Sequence, residues 1–306
     1  MKIAILGAGA MGCYFGGYLS LHHEVILLDS SKVVVDKIRQ EGVSIEETNH
    51  ETKIFKNVRA CVSGTFKEKV DIVLVLVKTC FTQNALEMNA SLFDKDTIVL
   101  TLQNGMGNQQ FIQKCVVSKQ ILTGTTTNNC VSLAPGKIRH SGQGMTTFGS
   151  DVFLETAKKI SKLFLECSLE NTISADIKKI LWNKLFVNVS INCFTAIFQT
   201  PIHFMAENEH AWECAKCVIH EAVLVARADG CDVEEKAVLQ HIHHVMIEQG
   251  SGYSSMSQDC KNHRKMEIDT INGAVVNLGK GYGIPTPYNS LMVHLIHSLE
   301  SAYEFH

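Results

Sequence analysis

The sequence has no excess of basic charge. Against 31 acidic residues stand 28 lysines and arginines, a net charge of −3. Broad binding of nucleic acid or of an anionic membrane surface needs a basic face. Neither partner is therefore expected, although a local basic pocket for a phosphate or carboxylate stays open. There is also no second Cys-x-x-Cys to accompany Cys214-Ala-Lys-Cys217, so zinc-finger spacing is not met. The 11 cysteines are irregularly spaced and read as reduced thiols packed as small hydrophobes. His241-Ile-His-His244 reads as a solvated helix surface rather than a metal cluster, and no metal is expected. Internal repeats and low-complexity tracts are missing. The apolar run over 3–21 has the outline of a signal peptide. It is interrupted by Gly7, Gly9, Gly12, Gly16 and Gly17, however, and leads directly into a second strand pattern at Glu24–Asp29. No targeting signal or membrane span is expected, and the protein is read as cytoplasmic.

What is present is ordinary globular material, 45% hydrophobic and 19% charged over 306 residues. At roughly 150 residues per domain that length predicts two domains. Residues 3–6, 25–28, 72–77 and 98–102 are continuous apolar runs of strand length, rich in β-branched side chains. Such runs indicate strands buried on both faces, hence a parallel sheet covered by helices. Helix-period stretches lie between them, such as 31–41 with Val34, Val35 and Ile38 on one side. A Gly- and Thr-rich stretch over 124–149 reads as hairpin or irregular strand material closing this part. Beyond about Ser174 long helical periods run on, punctuated at Thr200-Pro201, Asp229-Gly230, 250–252 and Pro285-Thr-Pro287. The expected fold is an α/β, Rossmann-like doubly wound domain over 1–174, followed by an all-α domain over 175–306.

The first strand runs into Gly7-Ala8-Gly9-Ala10-Met11-Gly12 and then a helical stretch, a GxGxxG in its required context. The first glycine permits the tight turn, the second lets a pyrophosphate approach the backbone, and the third lets helix and strand pack closely. The helix N-terminus adds oriented N–H groups for the phosphates. Asp29 ends the next strand, where a carboxylate accepts the ribose hydroxyls of NAD and repels the 2′-phosphate of NADP. Ser30, Ser31 and Lys32 follow it and could hold a phosphate if Asp29 turned away. The loop predicts an NAD(P)H cofactor and leans toward NAD(H).

The segment 174–198 is apolar on nearly every side, with Leu181, Trp182, Leu185, Phe186, Val187, Val189, Ile191 and Phe194, and such a helix is buried. Yet Lys184, Asn188 and Asn192 fall at i, i+4 and i+8 on one face. Their row extends about 12 Å. Buried polar groups are costly without partners. The row is therefore either a polar seam between elements or the lining of a small-molecule cleft, and the second reading is preferred.

Several separated segments together resemble the ketopantoate reductase family over nearly the whole length. These are Gly7–Gly12 as a cofactor loop, Val77-Lys78-Thr79, Leu102-Gln-Asn104-Gly-Met-Gly-Asn108, Trp182-Asn-Lys184-Leu-Phe-Val-Asn188 with Asn192, Ser254-Ser255-Met256, and Met266-Glu267-Ile-Asp-Thr-Ile-Asn-Gly273. The resemblance implies an NAD(P)H-dependent reduction of a small 2-oxo acid, 2-dehydropantoate. It makes Lys184 the proton donor, with Glu267 beside it. Asn104, Asn188, Asn192 and Ser255 become substrate contacts. The loop residues with Asp29, Lys78, Asn104, Glu267 and, more loosely, Cys130 become cofactor contacts. The chain departs from the family pattern at Ile202, where a substrate asparagine can stand, and at Asp29, where many members carry basic or hydroxyl groups suited to NADPH.

The less favoured alternatives are a helix-surface charge for Glu267 and a solvated strand end for Lys78. Two alternatives to the 2-dehydropantoate reading remain: an NAD-dependent D-2-hydroxyacid dehydrogenase for branched or aromatic 2-oxo acids, and a non-catalytic dinucleotide sensor. A homodimer is compatible with the sequence.

Overall fold

The apolar runs of the first half become strands because both of their faces are covered. In chain order these elements are β1 (Lys2–Leu6), α1 (Ala10–Leu19), β2 (Glu24–Asp29), α2 (Lys32–Glu41), β3 (Val43–Glu46), β4 (Thr52–Phe55), β5 (Arg59–Val62), β6 (Ile72–Val75), α3 (Thr82–Met88), β7 (Ile98–Thr101), α4 (Asn108–Cys115), β8 (Ile121–Thr126), β9 (Asn129–Ala134), β10 (Lys137–Gly142), β11 (Thr146–Gly149), α5 (Leu154–Glu166) and β12 (Asn171–Ile173). The computed structural model describes residues 1–150 and 152–303.

One sheet has the order β12-β11-β8-β7-β6-β1-β2-β5. Its six strands from β5 to β8 are parallel, and β11 runs antiparallel to β8. From β1 the chain proceeds outward through β2 and β5, then crosses back to β6 on the other side. That reversal between β1 and β6 is the crevice where doubly wound sheets bind ligands, at the carboxyl ends of the strands. Two apolar layers sandwich the sheet. Ile3, Ile5, Leu27 and Leu74 face one, and Ala4, Leu6, Ile26 and Val73 face the other. The strand side-chain period of two divides each run in this way.

The glycine- and threonine-rich stretch does more than close this sheet. β9 and β10 pair with each other and, through β10, with β3 and β4 in a separate sheet ordered β4-β3-β10-β9. The apolar run over 72–77 outlasts the strand: β6 ends at Val75, and Leu76 N–H still donates to Leu6 O at 3.0 Å. The N-terminus of α2 is capped by a side chain. Ser31 Oγ accepts from Val34 N–H, with Val35 and Ile38 buried beneath.

The remaining elements are helical: α6 (Ile177–Phe198), α7 (Phe204–Glu207), α8 (Glu209–Ala228), α9 (Glu235–Glu248), α10 (Ser255–Lys261), α11 (Asn272–Tyr282) and α12 (Pro287–Ala302). They surround their own core, in which Trp182, Phe186, Val189, Ile219, Val223, Met246, Val275 and Ile296 are buried. The chain divides into two compact units, with Met1–Gln103 and Asn108–Ile177 in one and Asn104–Gly107 with the chain from Lys178 onward in the other. The tetrapeptide Asn104–Gly107 is separated in sequence from the rest of its unit. Among the described residues, α6 alone is long and apolar enough to cross a membrane, and most of it is buried.

Candidate active site

The first unit carries the nucleotide loop. Gly7 has φ +100°, and a Cβ there would stand 3.0 Å from the backbone nitrogen of Val77. A Cβ on Gly12 would fall 1.8 Å from the carbonyl oxygen of Gly7. Both positions therefore require glycine. At Gly9 the space is open for 4 Å, so this part of the turn leaves room for a ligand to approach the backbone. No side chain caps the N-terminus of α1, which leaves its first N–H groups for a phosphate. The residues present thus fit a dinucleotide. Tight contacts fall where the motif needs close packing, and open space falls where it needs backbone access.

Asp29 is tied into this turn. One of its oxygens accepts from Ala8 N–H at 2.9 Å and the other from Ser31 N–H at 2.8 Å. These bonds fix the carboxylate at the end of β2, and a carboxylate has lone pairs left for hydroxyl donors. Lys78 is half-buried just past Val77, the residue against which Gly7 packs. Sequence reasoning missed Gln103. Its amide donates to Val77 O at 2.7 Å and to Thr82 Oγ1 at 2.8 Å, which holds the segment containing Lys78 in place. Its only sequence signal was its place beside Asn104. Cys130 lies on β9, half-buried, with its thiol pushed up to about 12 by burial and by the nearby Glu47 charge. That thiol therefore stays protonated at neutral pH.

The second unit gathers the other candidate residues. Asn104 Nδ2 donates to Glu267 Oε2 at 3.0 Å across 163 residues of chain. The loop carrying Asn104 is pinned to the turn that follows Glu267. Met106 N–H donates to Thr270 O at 3.0 Å, and a Cβ on Gly105 would stand 2.0 Å from that same oxygen. Hence Gly105, at φ +82°, must be glycine for Asn104 to reach Glu267.

On α6, Lys184 and Asn188 are half-buried and Asn192 is buried. Trp182, Leu185, Phe186 and Val189 beside them face the core. Lys184 keeps an accessible edge although protein surrounds it densely. Burial draws its pKa down from 10.5 to about 8, and the Glu267 charge opposes the fall. An acid of that strength gives up a proton readily near neutral pH, which an ordinary lysine does not. Ser255 is exposed at the first position of α10, whereas Ser254 is buried and caps that helix by accepting from Ser257 N–H. Ile202 is buried in the apolar core of this unit.

Buried polar bonds hold α6 against its neighbours. Trp182 Nε1 donates to Asp229 at 2.9 Å. Asn272 Nδ2 donates to Val189 O at 3.3 Å and to Asn289 Oδ1 at 3.0 Å. Asn289 is held in turn by Glu221, whose two carboxyl oxygens accept from the N–H groups of Tyr288 and Asn289 and from Asn289 Nδ2. His244 pairs with Glu248, and His243 packs against Trp212. Cys214 and Cys217 are free thiols, and among the described residues no group of three or more His, Cys, Asp or Glu side chains is placed to hold a metal.

Comparison with known proteins agrees with this arrangement in both units. Residues 3–151 match the family described as ketopantoate reductase PanE/ApbA, and residues 176–300 match ketopantoate reductase PanE/ApbA C terminal. The 2-dehydropantoate 2-reductase of Lactococcus lactis subsp. lactis is 32% identical over 308 residues, covering 98% of either chain. That of Streptococcus pyogenes serotype M1 is 30% identical with the same coverage. Among solved structures, D-mandelate dehydrogenase with NADH and anilino(oxo)acetate superposes with a TM-score of 0.93 at 30% identity, over 99% of each chain. A PanE/ApbA family ketopantoate reductase from Ralstonia eutropha gives 0.91 at 29% identity, over 99% of this chain and 100% of that one. The chain belongs to the ketopantoate reductase family.

Proposed function

We propose that the protein reduces 2-dehydropantoate to pantoate with NAD(P)H. The observation that carries this reading is Lys184, an ammonium on an apolar buried helix with a pKa near 8, on a unit that also joins Asn104 to Glu267. Relatives named 2-dehydropantoate 2-reductase that match end to end support the substrate.

The nicotinamide supplies a hydride to the ketone carbon. Everything else is the work of the chain. Gly7–Gly12 and the first N–H groups of α1 hold the pyrophosphate, Asp29 the ribose, and Lys78 the neighbourhood of the nicotinamide. As hydride arrives, negative charge grows on the carbonyl oxygen. Lys184 stabilises that charge and then donates its Nζ proton to the oxygen, which becomes the product hydroxyl. Glu267 keeps Lys184 protonated at working pH, and its bond to Asn104 fixes both side chains. Asn188, Asn192 and Ser255 orient the carboxylate and hydroxyl of the substrate through neutral donors that add no titratable charge. Asp29, fixed by Ala8 and Ser31, favours NADH over NADPH. The reading places the enzyme in the cytoplasm with its thiols reduced.

A second reading keeps the chemistry and changes the substrate. The fold likeness to D-mandelate dehydrogenase and the apolar Ile202 both favour a D-2-hydroxyacid dehydrogenase for branched or aromatic 2-oxo acids. NADH and NADPH oxidation measured against 2-dehydropantoate, 2-oxoisocaproate and benzoylformate separates the two. The first reading expects the highest kcat/KM on 2-dehydropantoate. A preference of about tenfold or more for benzoylformate, ~1.4 kcal/mol of transition-state binding, overturns it in favour of the second. Cofactor binding with no turnover of any of the three would instead point to a sensor.

A further inference from the structure

The hydroxyls of Thr195 and Ser254 lie 2.7 Å apart, and both side chains are buried. Thr195 stands three residues after Asn192 and seven after Asn188, on the same face of α6. Its hydroxyl lies 2.8 Å from Ile191 O and 3.3 Å from Asn192 O, carbonyls that only accept, so its single proton is taken by the helix backbone. Of the two directions open to the Thr195–Ser254 bond, donation by Ser254 is the one that leaves both carbonyl bonds in place. Ser254 Oγ, while donating to Thr195, accepts from Ser257 N–H at 3.1 Å. The bonds therefore run in one direction, from the first turn of α10 through Ser254 and Thr195 to the backbone of α6, with every proton placed.

The residue directly after this link is Ser255, whose side chain is exposed and takes no part in it. Met256, next along, is buried in the core of the unit. The start of α10 is thus held at two successive flanks of Ser255, by Ser254 on α6 and by Met256 in the apolar interior. The turn leading into α7 fastens the loop that precedes α10, through Ile202 N–H to Gly252 O at 2.9 Å and His203 N–H to Gly250 O at 3.1 Å.

We propose that Thr195 is a positioning residue for the substrate. Through Ser254 it sets the Ser255 hydroxyl at the end of the Asn188–Asn192 row, so that one fixed set of neutral donors meets the 2-oxo acid. This rests on the reading of Ser255 as a substrate contact, given above. Removing the Thr195 hydroxyl leaves the Ser254 proton without its buried acceptor, so the cap turns to find another and carries Ser255 with it. None of the residues assigned to the cofactor (the glycine loop, Asp29, Lys78, Asn104 and Glu267) is a partner of Thr195 or Ser254 in these bonds, so cofactor binding is untouched.

The test is steady-state kinetics of the full chain with 2-dehydropantoate and NADH or NADPH. Thr195→Val keeps the volume and β-branching. It should raise the KM for the 2-oxo acid by about tenfold while leaving kcat within about twofold, since a contact equal in ground and transition states acts on KM. The KM for the cofactor should not move. Thr195→Ser should restore the wild-type KM. Ser254→Gly retains a tolerated cap residue and should reproduce the Thr195→Val effect. In a Ser255→Ala background, Thr195→Val should add nothing further to KM. If Ser255→Ala raises KM and Thr195→Val does not, the positioning role is overturned while the reading of Ser255 stands. If Ser255→Ala leaves KM unchanged, the reading of Ser255 fails and the proposal falls with it. A lowered Tm with both KM values unchanged would reduce the link to a fold contact and likewise overturn the proposal.

Discussion

Lys184 concentrates the chemistry in one titration. Its pKa lies near 8, below the ordinary 10.5, because burial disfavours the ammonium more than Glu267 favours it. Below that pH the residue holds the proton that ketone reduction consumes; above it the proton is gone. The rate of reduction should therefore fall as pH rises through about 8. The reverse oxidation, which needs the free amine as base, should rise over the same interval. Glu267→Gln removes the charge that holds the pKa up, so both limbs should move to lower pH in the kcat/KM profile. Movement to higher pH would contradict the placement of Glu267 beside Lys184. Asp29 makes a separate prediction. Asp29→Ala should weaken NADH more than NADPH in equilibrium fluorescence titration, because it removes the ribose acceptor and the repulsion of a 2′-phosphate together. The opposite ranking would refute the leaning toward NADH. These residues were legible in the sequence because a lysine and two asparagines at four-residue spacing stand out on an apolar helix. Gln103 was not, since its work depends on Val77 and Thr82, whose proximity is created only by the sheet crossover. The Thr195–Ser254 bond was equally hidden, as two small polar residues 59 apart carry no pattern.

At the scale of elements, α6 depends on polar ties at its buried side as much as on its apolar packing. Glu221 on α8 satisfies the first turn of α12, and Asn289 passes that order to Asn272 and so to the Val189 carbonyl of α6. Glu221→Ala would strip three donors of their acceptor in a buried place. It should cost about 2–4 kcal/mol in chemical denaturation, whereas Glu221→Gln, which keeps the shape and one acceptor, should cost less. A loss below about 0.5 kcal/mol, the range of surface substitutions, would show that the link carries little. Strand pairing was legible to a different degree in the two sheets. Four strands at the centre of the large sheet, β1, β2, β6 and β7, are continuous apolar runs. β4, by contrast, is four residues long with only Phe55 buried, and β3 alternates over just Val43 to Glu46. Segments so short give no reliable period, so the second sheet emerges only from its long-range pairing with β10.

The whole molecule divides the labour that the sequence motifs suggested. One unit bears the glycine loop, Asp29 and Lys78, and the other bears Lys184, Asn188, Asn192, Ser255 and Glu267. Asn104–Gly107 leaves the sheet unit and bonds to the turn at Thr270. No local signal announces this, because the backbone bond from Met106 to Thr270 spans more than half the chain. Its effect is to join Asn104 to Glu267, so that the chain enters each unit more than once. Such a division allows catalysis and cofactor binding to be lost separately, and Lys184→Ala is the variant that separates them. The measurement is kcat for 2-dehydropantoate reduction beside the equilibrium Kd for NADH and NADPH. The account predicts a loss of about 10²–10⁴ in kcat, the usual worth of a positioned general acid, with both Kd values within about twofold of wild type. Turnover within a few-fold of wild type would contradict it.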